Sequence, residues 1–193
     1  MKNLLNQPNL QIAILDLEAS ALGHGSYPIE VGVALIHGAA HPVRSWSTMI
    51  RPTQAWLDHG VWSPASARVH GISIELIEQE GRPVEEVCDW LSSHLGSAAI
   101  VASDAPRYDQ DWLDTLFRAA DREQLFTLYH FEVLTSGLSA DQHRHLRYLL
   151  NRAPVPHRAG PDALRLASKL LETHLGYPPR SEFVRPPPPS RQS

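Results

Sequence analysis

The stretch Gln11-Ile12-Ala13-Ile14-Leu15-Asp16-Leu17-Glu18 is an apolar run that ends in two carboxylates. Its length suits a buried central strand and is too short to cross a bilayer. Alternate side chains of a strand share a face, so Asp16 and Glu18 project the same way, about 7 Å apart at ~3.3 Å per residue. Two like charges so placed repel, and each makes the other harder to ionise. A solvated strand end explains either acid alone. The pair at the end of a core strand fits a site for a hard divalent cation, which takes oxygen ligands and relieves the repulsion.

Reading outward, Ala21 to Pro28 is a loop, with Gly23, Gly25 and Pro28. Strand patterns resume at Ile29–Ile36 and Val43–Ile50, and three strands in succession imply an antiparallel start to the sheet. Arg51 to Gly71, broken by Pro52, Gly60, Pro64 and Gly71, reads as irregular. A short helix is expected at Ser73–Gln79 and a longer one at Pro83–Leu95, with proline in its first turn and Gly96 past its end. Ala98–Ser103 is a continuous apolar strand, Tyr108–Ala120 follows as a helix, and Leu125–Phe131 reads as a further strand. Helices at Ala140–Leu150 and Pro161–Leu175 complete the pattern, without internal repeats. Strands first, then alternating strand and helix, point to an α/β sandwich with a mixed sheet.

The 193 residues, 42% hydrophobic, suit one folded domain, expected over residues 1–177. Residues 178–193 are rich in proline and are expected to be a disordered or polyproline-like tail. No stretch resembles a signal-peptide core or a membrane span. The single cysteine, Cys88, excludes an internal disulfide and agrees with a reducing, cytoplasmic setting. It sits in the helical pattern Val84, Val87, Cys88, Leu91, Leu95 and reads as a core residue. A net charge of −4 argues against a protein that coats long duplexes, but leaves room for an active site that handles phosphate locally.

Of the aspartates between 104 and 114, Asp109 shares a helical face with Trp112, Leu113, Leu116 and Ala120, so its carboxylate lies along the core stripe. Asp111 and Asp114 fall off that stripe and read as solvated. Asp104 follows a strand end, where α/β proteins place ligands, and is a weaker candidate. An aspartate facing a core is costly unless it caps a helix or meets a cation. In His157-Arg158-Ala159-Gly160-Pro161-Asp162-Ala163, Pro161 suits the first helical position and Asp162 the first turn, where the helix dipole favours negative charge. His157, in the loop before it, carries a ring type that can act as general base near neutrality. His143 and His145 make a weak zinc pair, because residues two apart on a helix point to different faces.

Together, Asp-Leu-Glu on the first strand, Tyr108-Asp109 on a helix after a later strand and His-Arg-Ala-Gly-Pro-Asp-Ala near the end resemble the DEDD exonucleases of the histidine type. These are ribonuclease H-like 3′-5′ exonucleases that include proofreading subunits, ribonuclease T and oligoribonuclease. Ile29-Glu30-Val31-Gly32 and Val69-His70-Gly71-Ile72 are further similar pieces. The resemblance implies a three-layer sandwich with a mixed, mainly five-stranded sheet. It implies that Asp16, Glu18, Asp109 and Asp162 hold two Mg²⁺ or Mn²⁺ ions, and that His157 deprotonates the attacking water. It places the terminal nucleotide of a single strand or short oligonucleotide against Ala19, Ser20 and the apolar wedge Leu22. A homodimer is implied by analogy with some relatives. Many relatives have Thr-Thr where this chain has Ala19-Ser20, and His-Asn where it has Ser103-Asp104, which bears on substrate preference. Two other readings remain open: a non-catalytic binding module on the same fold, and a phosphodiesterase for small nucleotides. The second draws on the shortage of basic residues near the motifs, where Arg158, Arg107 and Arg68 are the nearest candidates for phosphate contact and solvated loop arginines are the default reading of all three.

Overall fold

The computed structural model describes residues 10–38 and 40–184. Among them, six strands form one mixed sheet: β1 (Ile12–Ala19), β2 (Pro28–Ile36), β3 (Val43–Met49), β4 (Ile100–Ser103), β5 (Leu128–His130) and β6 (Ser181–Phe183). Their spatial order is β5-β4-β1-β2-β3-β6. β1, β2 and β3 run antiparallel in turn, as their succession implied, while β4 lies parallel to β1 and β5 parallel to β4. The helices are α1 (Gln54–His59), α2 (Pro64–His70), α3 (Ile74–Glu80), α4 (Val84–Leu95), α5 (Pro106–Ala119), α6 (Glu132–Thr135), α7 (Ala140–Arg152) and α8 (Ala159–Leu175).

The strand period divides the core in two. Ala13, Leu15 and Leu17 of β1 face α4 and α5, joining Val87, Cys88, Leu91, Leu113 and Leu116. Ile12 and Ile14 face the other way, onto Ala163, Leu166, Ala167 and Leu170 of α8. Asp16 and Glu18 continue the row of Ile12 and Ile14, so the acids fall on the α8 side. That helix starts hard against the sheet: a Cβ on Gly32 would lie 2.1 Å from the Ala159 carbonyl carbon, and one on Gly160 would lie 2.7 Å from Ser47. Gly32 is directly across from Asp16 in the ladder, so the close approach brings the first turn of α8 onto the acidic end of β1.

Three readings are corrected. Residues 51–71 are not irregular but hold α1 and α2: the Thr53 and Ser63 side chains accept the first-turn N–H groups of Trp56 and Ser66. Pro64 opens α2 and Gly71, at φ 69°, closes it, so the punctuation marks caps rather than breaks. The chain after Tyr177 is not wholly free. β6 pairs in parallel with β3, and hydrogen bonds from Val43 N–H to Arg180 O and from Val184 N–H to Ser45 O flank it, both 2.8 Å. A strand edge offers unpaired backbone groups to any extended segment, and the three residues of β6 are exposed, so no apolar pattern announced it. The tail beyond 184 lies outside the described residues. Finally, α8 starts at Ala159, which makes Pro161 its third residue; the N–H there is unsatisfied by the helix in any case.

Candidate metal and catalytic centre

Asp16, Glu18 and Asp162 each offer a carboxylate oxygen, and the three lie within 4.8 Å of one another. β1 supplies two by its period, and the packing of α8 supplies the third. Asp162 is fixed from both sides: the Arg158 N–H donates to Oδ2 at 3.1 Å, and Arg165 Nε lies 3.4 Å from Oδ1. Beneath it, Glu30 is 2% exposed and sits across the ladder from Glu18. Glu30 accepts a two-pronged contact from Arg158, at 2.9 and 2.7 Å, and the Ala159 N–H at 2.9 Å. This fork clamps the start of α8 to β2. Arg158 is thus engaged by Glu30, with part of its side chain still exposed. The clamp was not read from the sequence, although a glutamate inside the apolar run Ile29–Ile36 was its visible sign.

Asp109 arrives from the opposite layer, on the α5 face that buries Trp112, Leu113, Leu116 and Phe117, as its periodicity implied. It is 2% exposed, and among the described residues its Oδ2 is a buried oxygen without a hydrogen-bond partner. Burial pushes its carboxyl up to about 7, against the opposing influence of the Ser103 hydroxyl and with a further push from Asp104. Glu18 is also raised to about 7, by burial first and then by the charges of Glu30 and Asp162, with Arg158 opposing. Asp16 is raised well above the carboxylate range by burial, followed by Asp109, Glu18, Asp104 and Asp162. The charges of Asp109 and Asp162 thus both bear on Asp16 and Glu18. Among the described residues Asp16, Glu18 and Asp109 make no ion pair, which is the donor set of a hard cation rather than of a structural salt-bridge network.

The remaining candidates are not part of the three-carboxylate group. Asp104, Asp111 and Asp114 are exposed. His157 is exposed too, on the loop leading into α8, with φ +53° and no hydrogen bond or ion pair among the described residues. A left-handed backbone at a non-glycine residue costs about 1–2 kcal/mol. The Ser20 N–H donates to Tyr27 O, its carbonyl accepts from Ser63, and its hydroxyl accepts from Tyr27 N–H, so its polar groups are engaged within the loop. Ala19 is buried, whereas Leu22 is 74% exposed. His70, from the Val69–Ile72 piece, is buried behind the site and accepts the Ile72 N–H at Nδ1, 3.1 Å. Among the described residues neither His143 nor His145 joins two further metal-binding side chains.

The sequence matches no protein-family model and no curated protein. The fold, however, is that of several solved exonucleases. Escherichia coli Exonuclease I in complex with a dA16 oligonucleotide superposes with a TM-score of 0.64 at 13% identity, over 87% of this chain and 42% of that one. The zinc-bound form of its single-stranded DNA complex gives 0.64 at 13%, over 87% and 41%. Exonuclease I from Methylocaldum szegediense gives 0.60 at 13%, over 86% and 41%. The chain thus spans about two fifths of the length of these proteins.

Proposed function

We propose that this protein is a 3′-5′ exonuclease of the histidine DEDD type. In this reading it is metal-dependent and hydrolyses phosphodiester bonds from the 3′ end of single-stranded DNA or RNA, or of short oligonucleotides. One observation carries the reading: the carboxylates of Asp16, Glu18 and Asp162 converge from two elements, the charge of Asp109 on a third bears on Asp16 and Glu18, and burial leads in raising Asp16, Glu18 and Asp109, none of which has an ion pair among the described residues. A fold kept only for binding has no use for so costly an arrangement. Asp16, Glu18, Asp109 and Asp162 would hold two Mg²⁺ or Mn²⁺ ions, whose charge would stabilise the attacking and leaving oxygens. His157, on the exposed loop entering α8, would take the proton of the attacking water. The Glu30–Arg158 fork would keep Asp162 aimed at the site. Leu22 would wedge against the terminal base, with the Ala19 backbone beside it, and Ser20 would shape the loop through its contacts with Tyr27 and Ser63. The neighbouring Exonuclease I structures contain single-stranded DNA, which supports a single-stranded substrate, and the buried lone Cys88 suits a reducing cytoplasm.

The test is hydrolysis of 5′-labelled single-stranded DNA and RNA with Mn²⁺ or Mg²⁺, beside a chelated control. A ladder of products shortened from the 3′ end, abolished by EDTA and restored by either ion, is expected. Full activity in chelator, or none with either ion, overturns the proposal.

A further inference from the structure

A cavity of about 700 Å³ opens between the β1–β2 loop, α1 and the outward face of α5. It is lined by none of Asp16, Glu18, Asp109 and Asp162, but Tyr108, which lines it, is the chain neighbour of Asp109 on the same helical turn. From there Arg107, Asp111, Thr115 and Arg118 follow along one helical face at spacings of three or four. The stripe extends along roughly 15 Å at 1.5 Å per residue.

Two features give the groove its chemistry. First, Arg107 and Arg118 are exposed and unpaired among the described residues, although Asp111 and Asp114 each lie one turn away. Asp114 instead accepts from Gln110 at 2.7 Å. Guanidinium groups that leave nearby carboxylates unused are open to phosphate. Second, the groove offers aromatic surface. Tyr108 is 50% exposed at the end next to the site, and Trp56, stacked on Tyr27 at a centroid distance of 5.4 Å, forms part of the floor. Cations beside exposed rings are the pattern that holds single strands without reading sequence. The two aspartates balance the two arginines, so the gain in affinity is modest.

We propose that this groove holds the nucleotides upstream of the scissile bond, with phosphates on Arg107 and Arg118 and a base against Tyr108, so that longer single strands are better substrates than dinucleotides. The inference rests on the exonuclease reading above and adds a length-sensing surface to it.

The experiment compares kcat/KM for a DNA dinucleotide and for a single strand of about ten nucleotides, within the usual site size of such grooves. The wild type is set beside Arg118→Ala and, as control, Arg144→Ala on α7, whose side chain pairs with Asp141 away from the groove. The wild type should favour the longer strand about tenfold. Arg118→Ala should cut that preference about fivefold and flatten the log–log salt dependence on the longer strand by about 0.7, while Arg144→Ala keeps both. Equal behaviour of the two variants, or equal loss on both substrates, overturns the groove and leaves the hydrolase standing. If the wild type cleaves neither substrate, the exonuclease reading fails, and tryptophan-fluorescence titration with the longer strand in EDTA decides the groove alone. Weaker binding by Arg118→Ala supports it, and unchanged binding overturns it.

Discussion

Asp109 and Asp162 occupy the same kind of place: each lies in the first turn of a long helix, nearly out of contact with water at 2% and 7% exposure. They differ in what holds them. Asp162 has structural employment, accepting the Arg158 N–H at its own helix start and lying against Arg165. Asp109 has an orphaned buried oxygen and a carboxyl pushed up to about 7. A helix can need an aspartate such as Asp162 for its own sake. One such as Asp109 weakens the protein that carries it, and the proposed metal site gives that cost a use.

The sharpest way to break this comparison is turnover. Asp109→Asn and Asp162→Asn should both lose at least about a thousandfold in rate, roughly 4 kcal/mol of barrier, measured by single-turnover hydrolysis with the fold verified by circular dichroism. Either variant within tenfold of wild type would remove that residue from the proposed metal site. His157→Ala should lose about 10²–10⁴-fold, the usual contribution of a general base, while Mn²⁺ titration calorimetry still shows binding. Loss of Mn²⁺ binding would make His157 a ligand.

Stability separates the two aspartates where activity does not. In chelator at pH 8, Asp109→Asn should raise unfolding stability by on the order of 2 kcal/mol, because it removes a buried charge with a raised pKa. Asp162→Asn should lower it by about 1 kcal/mol through weaker contacts to Arg158 and Arg165. Urea unfolding of the two variants checks both signs, and destabilisation by Asp109→Asn would show that its charge is compensated after all.

The same shifts fix a pH dependence. Carboxyls raised in the folded state favour their neutral form there, so their contribution is fully present below the unfolded values of 3.8 and 4.5 and is lost as pH rises through about 7. The chelated protein should therefore lose melting temperature across that window from these groups. Added Mn²⁺, which favours the ionised forms, should stabilise increasingly over it. A Mn²⁺-induced gain that does not grow with pH would contradict the arrangement. The smallest expected effect is at the far edge of the sheet: ending the chain after Tyr177 removes β6 and should cost within about 1 kcal/mol, because its side chains are exposed.

What the sequence determined by itself follows from periodicity within single elements. The apolar run into Asp16 and Glu18, the inward stripe of Asp109 and the strand succession at the start of the sheet are local patterns, and each stands where it was read. Resemblance added the expectation that the four acids share one site, and the structure brings three of them together. Tertiary structure alone decided that Asp162 sits with Asp16 and Glu18, because that depends on Gly32 and Gly160 letting α8 touch the sheet. It alone paired Glu30 with Arg158 across 128 positions of sequence, and β6 with β3 on backbone hydrogen bonds that leave no mark on side-chain pattern. Local pattern records which face a residue shows. Which residue that face meets is settled only when the chain closes on itself, since contacts between distant segments have no period to read.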